Sequence, residues 1–220
     1  MAPVPGIITR FVQPDDPTAS LPDAVLAPPE PVPGVEAFYV TEANDDLAPK
    51  YNIVYFVKDI TPILESSSYY DADVKASTAP AKITWDVCSF LNGKDAVEAK
   101  ELTKEPHVLP APPVPGSTLV SNGFTPHVEW EQDYNDWYDQ EHGHKLSLVP
   151  GWNSCRRYRH IKTYGETDVA TFYGWNFYDA ENGLGGPEWK ASITPWTDKI
   201  RSQNRIPNLR RIWTVLRTSS

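Results

Sequence analysis

The sequence predicts an α+β fold: tandem ferredoxin-like βαββαβ repeats packed sheet to sheet as a pseudo-dimeric α/β barrel. Three observations carry this expectation. Val32-Pro33-Gly34 recurs 117 residues later (149 minus 32) as Val149-Pro150-Gly151, and each copy precedes a strand-like run. The order of strand-like and helix-like segments around each motif is the same. Between Pro106 and Gly116, five prolines (Pro106, Pro110, Pro112, Pro113, Pro115) form a stretch that can be neither helix nor central strand. The expected units are residues 1–103, a degenerate repeat; 104–116, a proline-rich linker; and 117–220, a repeat holding the candidate active site. One sheet with helices on a single face leaves its other face bare, and a second copy supplies the cover.

Taken in order, Gly6 to Pro14 reads as the first strand and resembles Thr118 to Pro126. Between Pro14 and Val32, prolines 17, 22, 28 and 29 leave room for one or two helical turns at most. Val35–Thr41 and Tyr51–Val57 are strands, rich in the β-branched and aromatic residues a pleated surface prefers. Tyr51–Val57 aligns with Asp168–Gly174, setting Ile53 against Ala170 and Tyr55 against Phe172. The last strand, Ile83-Thr84-Trp85-Asp86-Val87, is matched to Ile212-Trp213-Thr214-Val215, with Trp85 against Trp213. The second half is expected to hold strands at 117–125, 152–163, 169–179 and 207–217, and helices at 127–149 and 186–203. Gly183-Leu184-Gly185-Gly186 lacks the lysine or acid of a nucleotide-binding loop and reads as a flexible loop over a cavity mouth.

The formal net charge of −9 argues against a nucleic-acid partner. The short pairs Arg156-Arg157 and Arg210-Arg211 read as strand or strand-edge charges. Two cysteines, Cys88 and Cys155, do not make a disulfide framework, so a reducing compartment is expected. No signal-peptide pattern opens the chain, and no apolar run approaches the roughly 20 residues that span a bilayer. The expectation is a cytoplasmic protein with a small-molecule substrate and no nucleic-acid or membrane partner. It would be a monomeric pseudo-dimer, with further oligomerisation open.

Chemistry is expected in the second half. All five histidines lie between residues 107 and 160, and seven of the eight tryptophans lie beyond residue 129. Tyr134 to Gly151 gathers aromatics, acids, two histidines and a lysine on one expected helix, closed by Pro150-Gly151. At 100° per residue, Trp130, Tyr134, Trp137, Glu141 and Leu148 share a narrow arc, with Tyr138 and Lys145 at one edge and His144 at the other. Glu141 on an aromatic stripe is a conceivable general acid or base; equally, it could pair with Lys145 one turn on. His142, on the flank of the arc, is either a proton shuttle with Tyr138 one turn before it, or a helix-terminal cap. His142 and His144 point about 160° apart on a helix and cannot share one ion, so no metal is expected. Cys155 is expected to pack in the core. Tyr158, Tyr173, Trp175 and Trp213 either line a ligand cavity or fill the barrel; alternation places Tyr173 and Trp175 on one sheet face, with Phe172 and Gly174 on the other.

Trp137, Tyr138 and His142, followed by Val149-Pro150-Gly151 and the strand start Arg156-Arg157-Tyr158, resemble the EthD-like dimeric α/β-barrel family, particularly its tandem fungal members. Where that family has a proline two residues after the histidine, this chain has His144. The resemblance implies a barrel that binds small, often aromatic or polyketide-like molecules without a cofactor. Family members include monooxygenases, cyclases, isomerases, decarboxylases and dehalogenating enzymes. The expected function is cofactor-independent acid–base chemistry (cyclisation, isomerisation, elimination or decarboxylation). His142 would be the shuttle, Tyr138 its partner, and His144 or Glu141 auxiliary. Tyr134, Trp137, Tyr158, Tyr173, Trp175 and Trp213 would bind substrate. The alternatives are a non-catalytic ligand-binding or stress-associated barrel and a cofactor-free monooxygenase.

Overall fold

Runs of alternating Val, Ile, Tyr, Phe and Trp become eight strands: β1 (Gly6–Pro14), β2 (Val35–Ala43), β3 (Tyr51–Val57), β4 (Ala81–Asp95), β5 (Thr118–Phe124), β6 (Trp152–Tyr164), β7 (Phe172–Tyr178) and β8 (Leu209–Thr218). The computed structural model describes residues 2–21, 25–26, 32–77, 80–96 and 112–219. The strands close into one antiparallel barrel in the order β1-β3-β2-β8-β5-β7-β6-β4. Its first four strands run β4-β1-β3-β2 and its last four β8-β5-β7-β6, the same relative order in each half. The two sheets meet not only face to face but edge to edge, through β2 with β8 and β4 with β6. Closure leaves no unpaired edge in either sheet. Of the expected proline-rich linker, residues 104–111 lie outside the described residues.

The repeated Pro-Gly turns have one conformation. Gly34 and Gly151 both sit in the left-handed region, at φ 73° and 75°, immediately before β2 and β6. A Cβ at that φ is strained, which is why glycine stands at both corners.

Among the described residues six helices cover the outside: α1 (Thr61–Glu65), α2 (Ser68–Ala76), α3 (Glu131–Trp137), α4 (Gly143–Leu146), α5 (Pro187–Ala191) and α6 (Pro195–Ser202). No helix forms between β1 and β2 among the described residues, where prolines crowd the sequence. The single helices expected at 127–149 and 186–203 are each broken. The first is a 3-10 turn (Val128–Trp130), then α3, a π turn (Tyr138–His142) and α4. The second stops at Ser192 and restarts at α6, where Thr194 and Thr197 form a capping box and Pro195 takes the first turn. No described helix is long and apolar enough to cross a membrane.

Period-two alternation sorts the strand side chains into three apolar layers. Ile8, Ile53 and Trp85 face outward in the first half and pack with Ile63 of α1. Ile7, Tyr39, Phe56, Tyr158, Trp175 and Trp213 fill the barrel. Val120, Phe124 and Phe172 face outward in the second half, under Tyr134, Trp137 and Ile200.

The ladders correct two residue matches expected from the sequence. Gly6 faces Val57 and Ser89, while Thr118 faces Tyr178 and Thr214. With Gly6 and Thr118 equivalent, Tyr55 corresponds to Asn176 rather than Phe172, and Trp85 to Arg210 rather than Trp213. The first correction shifts the match by four residues and preserves the face. The second shifts it by three and flips the face. Trp85 accordingly packs outside the barrel and Trp213 inside it.

Candidate functional site

The helix that carries the motif is fastened to the sheet by Arg157 of β6. Its guanidinium donates to Asp139 Oδ1 and Asn135 Oδ1, both at 2.6 Å, and lies 4.4 Å from the centroid of the Tyr138 ring. Expected as a strand or strand-edge charge, it lies in a strand and is a buried clamp, 1 % exposed. It holds Tyr138 flat on β7, where Gly174 makes the room: a Cβ there would come within 2.8 Å of the Tyr138 hydroxyl. Asn176, two residues on, is oriented by the Trp152 indole N–H (3.1 Å) and turns its amide toward the same hydroxyl (3.4 Å). Burial pushes the Tyr138 phenol well above its ordinary pKa, so it remains protonated at neutral pH.

The π turn then rotates the chain so that His142 returns over Trp137. The two rings stack at 4.1 Å, and Tyr138 meets the imidazole edge-on at 5.4 Å. The Ser192 backbone holds one edge of the imidazole, while Nδ1 is buried without a partner. A cavity of about 100 Å³ opens beside it, lined among others by Asn122 of β5, Tyr138, Asn176, Trp189 of α5 and Arg210 of β8. Asn122 Oδ1 is a second polar atom with no partner. Leu184, from the glycine-rich loop, forms part of the wall, as expected of a loop over a cavity mouth.

Burial, opposed only in part by the Ser192 backbone, pushes the His142 pKa down to about 3. The ring is neutral at cellular pH. In the unfolded chain its pKa returns to about 6.5, so between these values the unfolded state holds a proton that the folded state lacks. Stability is therefore expected to fall as pH drops from 6.5 toward 3, and to be untouched by this group above 6.5. The ceiling is about 4–5 kcal/mol, lowered by the partial exposure of the ring. In His142→Asn, melting temperatures at pH 4 and pH 7 should differ by several degrees less than in the parent; an equal difference would refute the assignment.

The expected site residues divide among three places. Trp137, Tyr138 and His142 come together at the helix-side cavity. Tyr134 lies deeper, stacked on Phe124 and Phe172 at 4.9 and 5.2 Å, and packs the helix rather than lining the cavity. Tyr158, Tyr173, Trp175 and Trp213 are on the other side of the sheet, inside the barrel, as the alternation of Tyr173 and Trp175 against Phe172 and Gly174 requires. The 100° arc fails beyond Trp137 because the π turn changes the angle per residue. Leu148 and His144 consequently face solvent, and Tyr138 and Leu146 are buried; Trp130, in the 3-10 turn before α3, is also exposed. Glu141 does not pair with Lys145; it accepts the Thr194 hydroxyl at 2.5 Å, tying the π turn to the cap of α6. Neither His144 nor Glu141 lines the cavity, so their expected auxiliary roles find no support in their placement.

Sequence reasoning missed Asn122, Asn176, Trp189 and Arg210. Period two from Phe172 would have put Gly174 and Asn176 on the helix side together. It also missed Asp86, an acid in the middle of an apolar strand and 1 % exposed. Burial raises the Asp86 carboxyl to about 7, against the Thr163 hydroxyl, which donates to it at 2.7 Å and meets His160 Nε2 at 2.8 Å. Cys155 packs in the outer core as expected, its thiol pushed up by burial to about 11.

Neither a family model nor a curated protein sequence matches the chain. Solved structures do. An anthrone oxidase-like protein superposes with a TM-score of 0.63 at 11% identity, over 99% of this chain and 93% of its own. A candidate monooxygenase of Fusobacterium nucleatum gives 0.61 at 12%, over 100% and 96%. Another, from Lactobacillus acidophilus, gives 0.56 at 11%, over 99% and 96%. At such identities the likeness shows the fold, a dimeric α/β barrel closed here by one chain, and leaves the chemistry to the site.

Proposed function

We propose that this chain is a cofactor-independent enzyme acting on a small aromatic molecule, and that its first step removes a proton from a phenol, enol or activated methylene at the helix-side cavity. His142 carries this reading: a neutral imidazole, stacked on Trp137, whose Nδ1 lone pair lacks a partner beside the Tyr138 hydroxyl. Burial opposes the imidazolium, so His142 is a weak base in the empty site. Proton transfer that leaves an oxyanion alongside creates both charges together, and the anion then offsets the cost of burying the cation. Arg210 and the Asn176 amide would receive the oxyanion, and Tyr138 would donate a hydrogen bond to it. His144 and Glu141 have no part in this step. At about 100 Å³ the cavity falls short of the roughly 150 Å³ that holds a benzene. Admitting a ring therefore requires Leu184 and its glycine-rich loop to move outward.

The resemblance to the EthD-like group and the likeness to an anthrone oxidase-like protein and two candidate monooxygenases support oxygenation as the fate of the anion. In that reaction the carbanion reduces O2. One oxygen atom ends on carbon and the other leaves as water, so anthrone plus O2 yields anthraquinone plus water. The shared strand order supports descent from tandem ferredoxin-like repeats, residues 1–103 and 117–220 joined by 104–116, acting as one chain.

Incubation with anthrone under 18O2 tests the reading. The expected result is quinone formed faster than in buffer alone, with one labelled oxygen per product and one O2 consumed per turnover. A product formed equally fast under argon would instead favour cyclisation, isomerisation, elimination or decarboxylation from the same anion. Saturable binding with no turnover across phenolic and enolic substrates would overturn catalysis in favour of a ligand-binding barrel.

A further inference from the structure

One mouth of the barrel is not filled. A cavity of about 290 Å³ lies there, walled by Phe11 of β1, Tyr173 and Trp175 of β7, Trp213 of β8 and the Ala48-Pro49 turn. It is nearly three times the helix-side space; Tyr173, Trp175 and Trp213 face it from inside the barrel, while Asn208 and Arg210 line both cavities. The volume reaches the lower end of small-molecule sites, and flat aromatic walls suit a flat ligand.

Besides Arg211, the walls carry one charge of each sign, Asp168 and Arg210, and a set of donors deeper in. The Trp175 indole N–H is buried, with Trp175 3 % exposed, and has no partner. Ser121 Oγ already accepts the Trp213 indole N–H at 3.0 Å, and the Tyr173 hydroxyl oxygen accepts the Ala170 N–H at 2.9 Å. Each of these hydroxyls keeps a hydrogen to give. Arg211, also on the wall, is committed to Asp45 and to the carbonyls of Leu47, Ala48 and Pro49. It is therefore not a free anion receptor. An unpartnered buried N–H is costly and rare, and a ligand acceptor would satisfy it.

We propose that the barrel mouth is a second ligand site, centred on the inner face of the sheet, taking a fused-ring aromatic molecule whose carbonyl oxygen accepts the Trp175 indole N–H. The inference is independent of the reaction proposed above.

The test uses the full chain labelled with 15N at tryptophan, titrated with coumarin, and reads the eight indole N–H resonances. The Trp175 signal, identified by its loss in Trp175→Phe, is expected to shift saturably while those of Trp137 and Trp189 stay still. 2H-chromene keeps both rings but lacks the carbonyl, and should bind about five-fold more weakly. His142→Ala should bind coumarin within two-fold of the parent. If Trp175→Phe fails to fold, Trp137→Phe and Trp189→Phe identify the helix-side signals, and the coumarin-shifted resonance is expected to be neither of them. A Trp175 resonance that does not move, shifts confined to Trp137 and Trp189, or equal affinity for the two probes would each overturn the proposal.

Discussion

His142→Ala is expected to lower anthrone turnover by about 10²–10⁴-fold, the loss typical of a missing acid–base group. The effect should fall on kcat, because the imidazole gains its charge only as the proton moves and so favours the transition state over bound substrate. Fold loss is not the expected cause. The ring is partly exposed, and removing it also removes a buried nitrogen that has no partner. The melting temperature at pH 7 should therefore change by only a few degrees. Added imidazole is expected to restore part of the rate to the alanine variant, which a purely packing role for the ring would not allow. Turnover within two-fold of the parent would remove His142 from the reaction and the proposed mechanism with it.

Asp73→Ala is expected to destabilise the protein by about 3–5 kcal/mol, the cost of leaving a buried charge uncompensated. Arg10 and Asp73 are each 1 % exposed and joined by two hydrogen bonds, of 2.6 and 2.8 Å. The Trp85 indole donates to the same carboxylate at 2.8 Å, and Arg10 also reaches the Val25 carbonyl. Removing the acid strands a guanidinium and an indole N–H inside an apolar layer. For a chain of this size the loss corresponds to roughly 6–20 °C in melting temperature. The double variant Arg10→Leu/Asp73→Leu should recover much of it, since apolar residues of similar volume often replace a buried pair without penalty. A single variant within about 1 kcal/mol of the parent in urea titration would show that water reaches Arg10.

These two sites occupy corresponding places. The ladder equivalence maps Asn122, Asn176 and Arg210, which wall the helix-side cavity, onto Arg10, Tyr55 and Trp85 in the first half. In the first half, Asp73 of α2 bonds to both Arg10 and Trp85, filling the position that stays open in the second.

Much of the architecture was legible in the amino-acid order, because strands announce themselves through period-two runs and Pro-Gly corners. Gly34 and Gly151 sit where the repeated motif placed them, and the second-half strands fall within three residues of expectation at each end. What stayed hidden depended on phase. A π turn at Tyr138–His142 adds no local sequence signal, yet it decides that His142 turns inward while His144 and Glu141 do not. Matching Trp85 to Trp213 by residue type ignored register, and a shift of three residues places those rings on opposite faces. Arg157 could be placed on a strand, but its role as a clamp stayed hidden because only the fold brings Asp139 and Asn135 over it.

The two seams, β2 with β8 and β4 with β6, join segments of one polypeptide. In a barrel made by identical subunits, rotational symmetry imposes every substitution twice, so a residue that improves one cleft must be tolerated in its twin. A covalent join lifts that obligation. Here the first half holds an ionic strut, Arg10 with Asp73, where the second half keeps a cavity bordered by unpartnered polar atoms. Such a chain also keeps its seams at any dilution, since no bimolecular step is needed to form them. Asymmetry of this kind is available to a fused barrel and closed to a paired one.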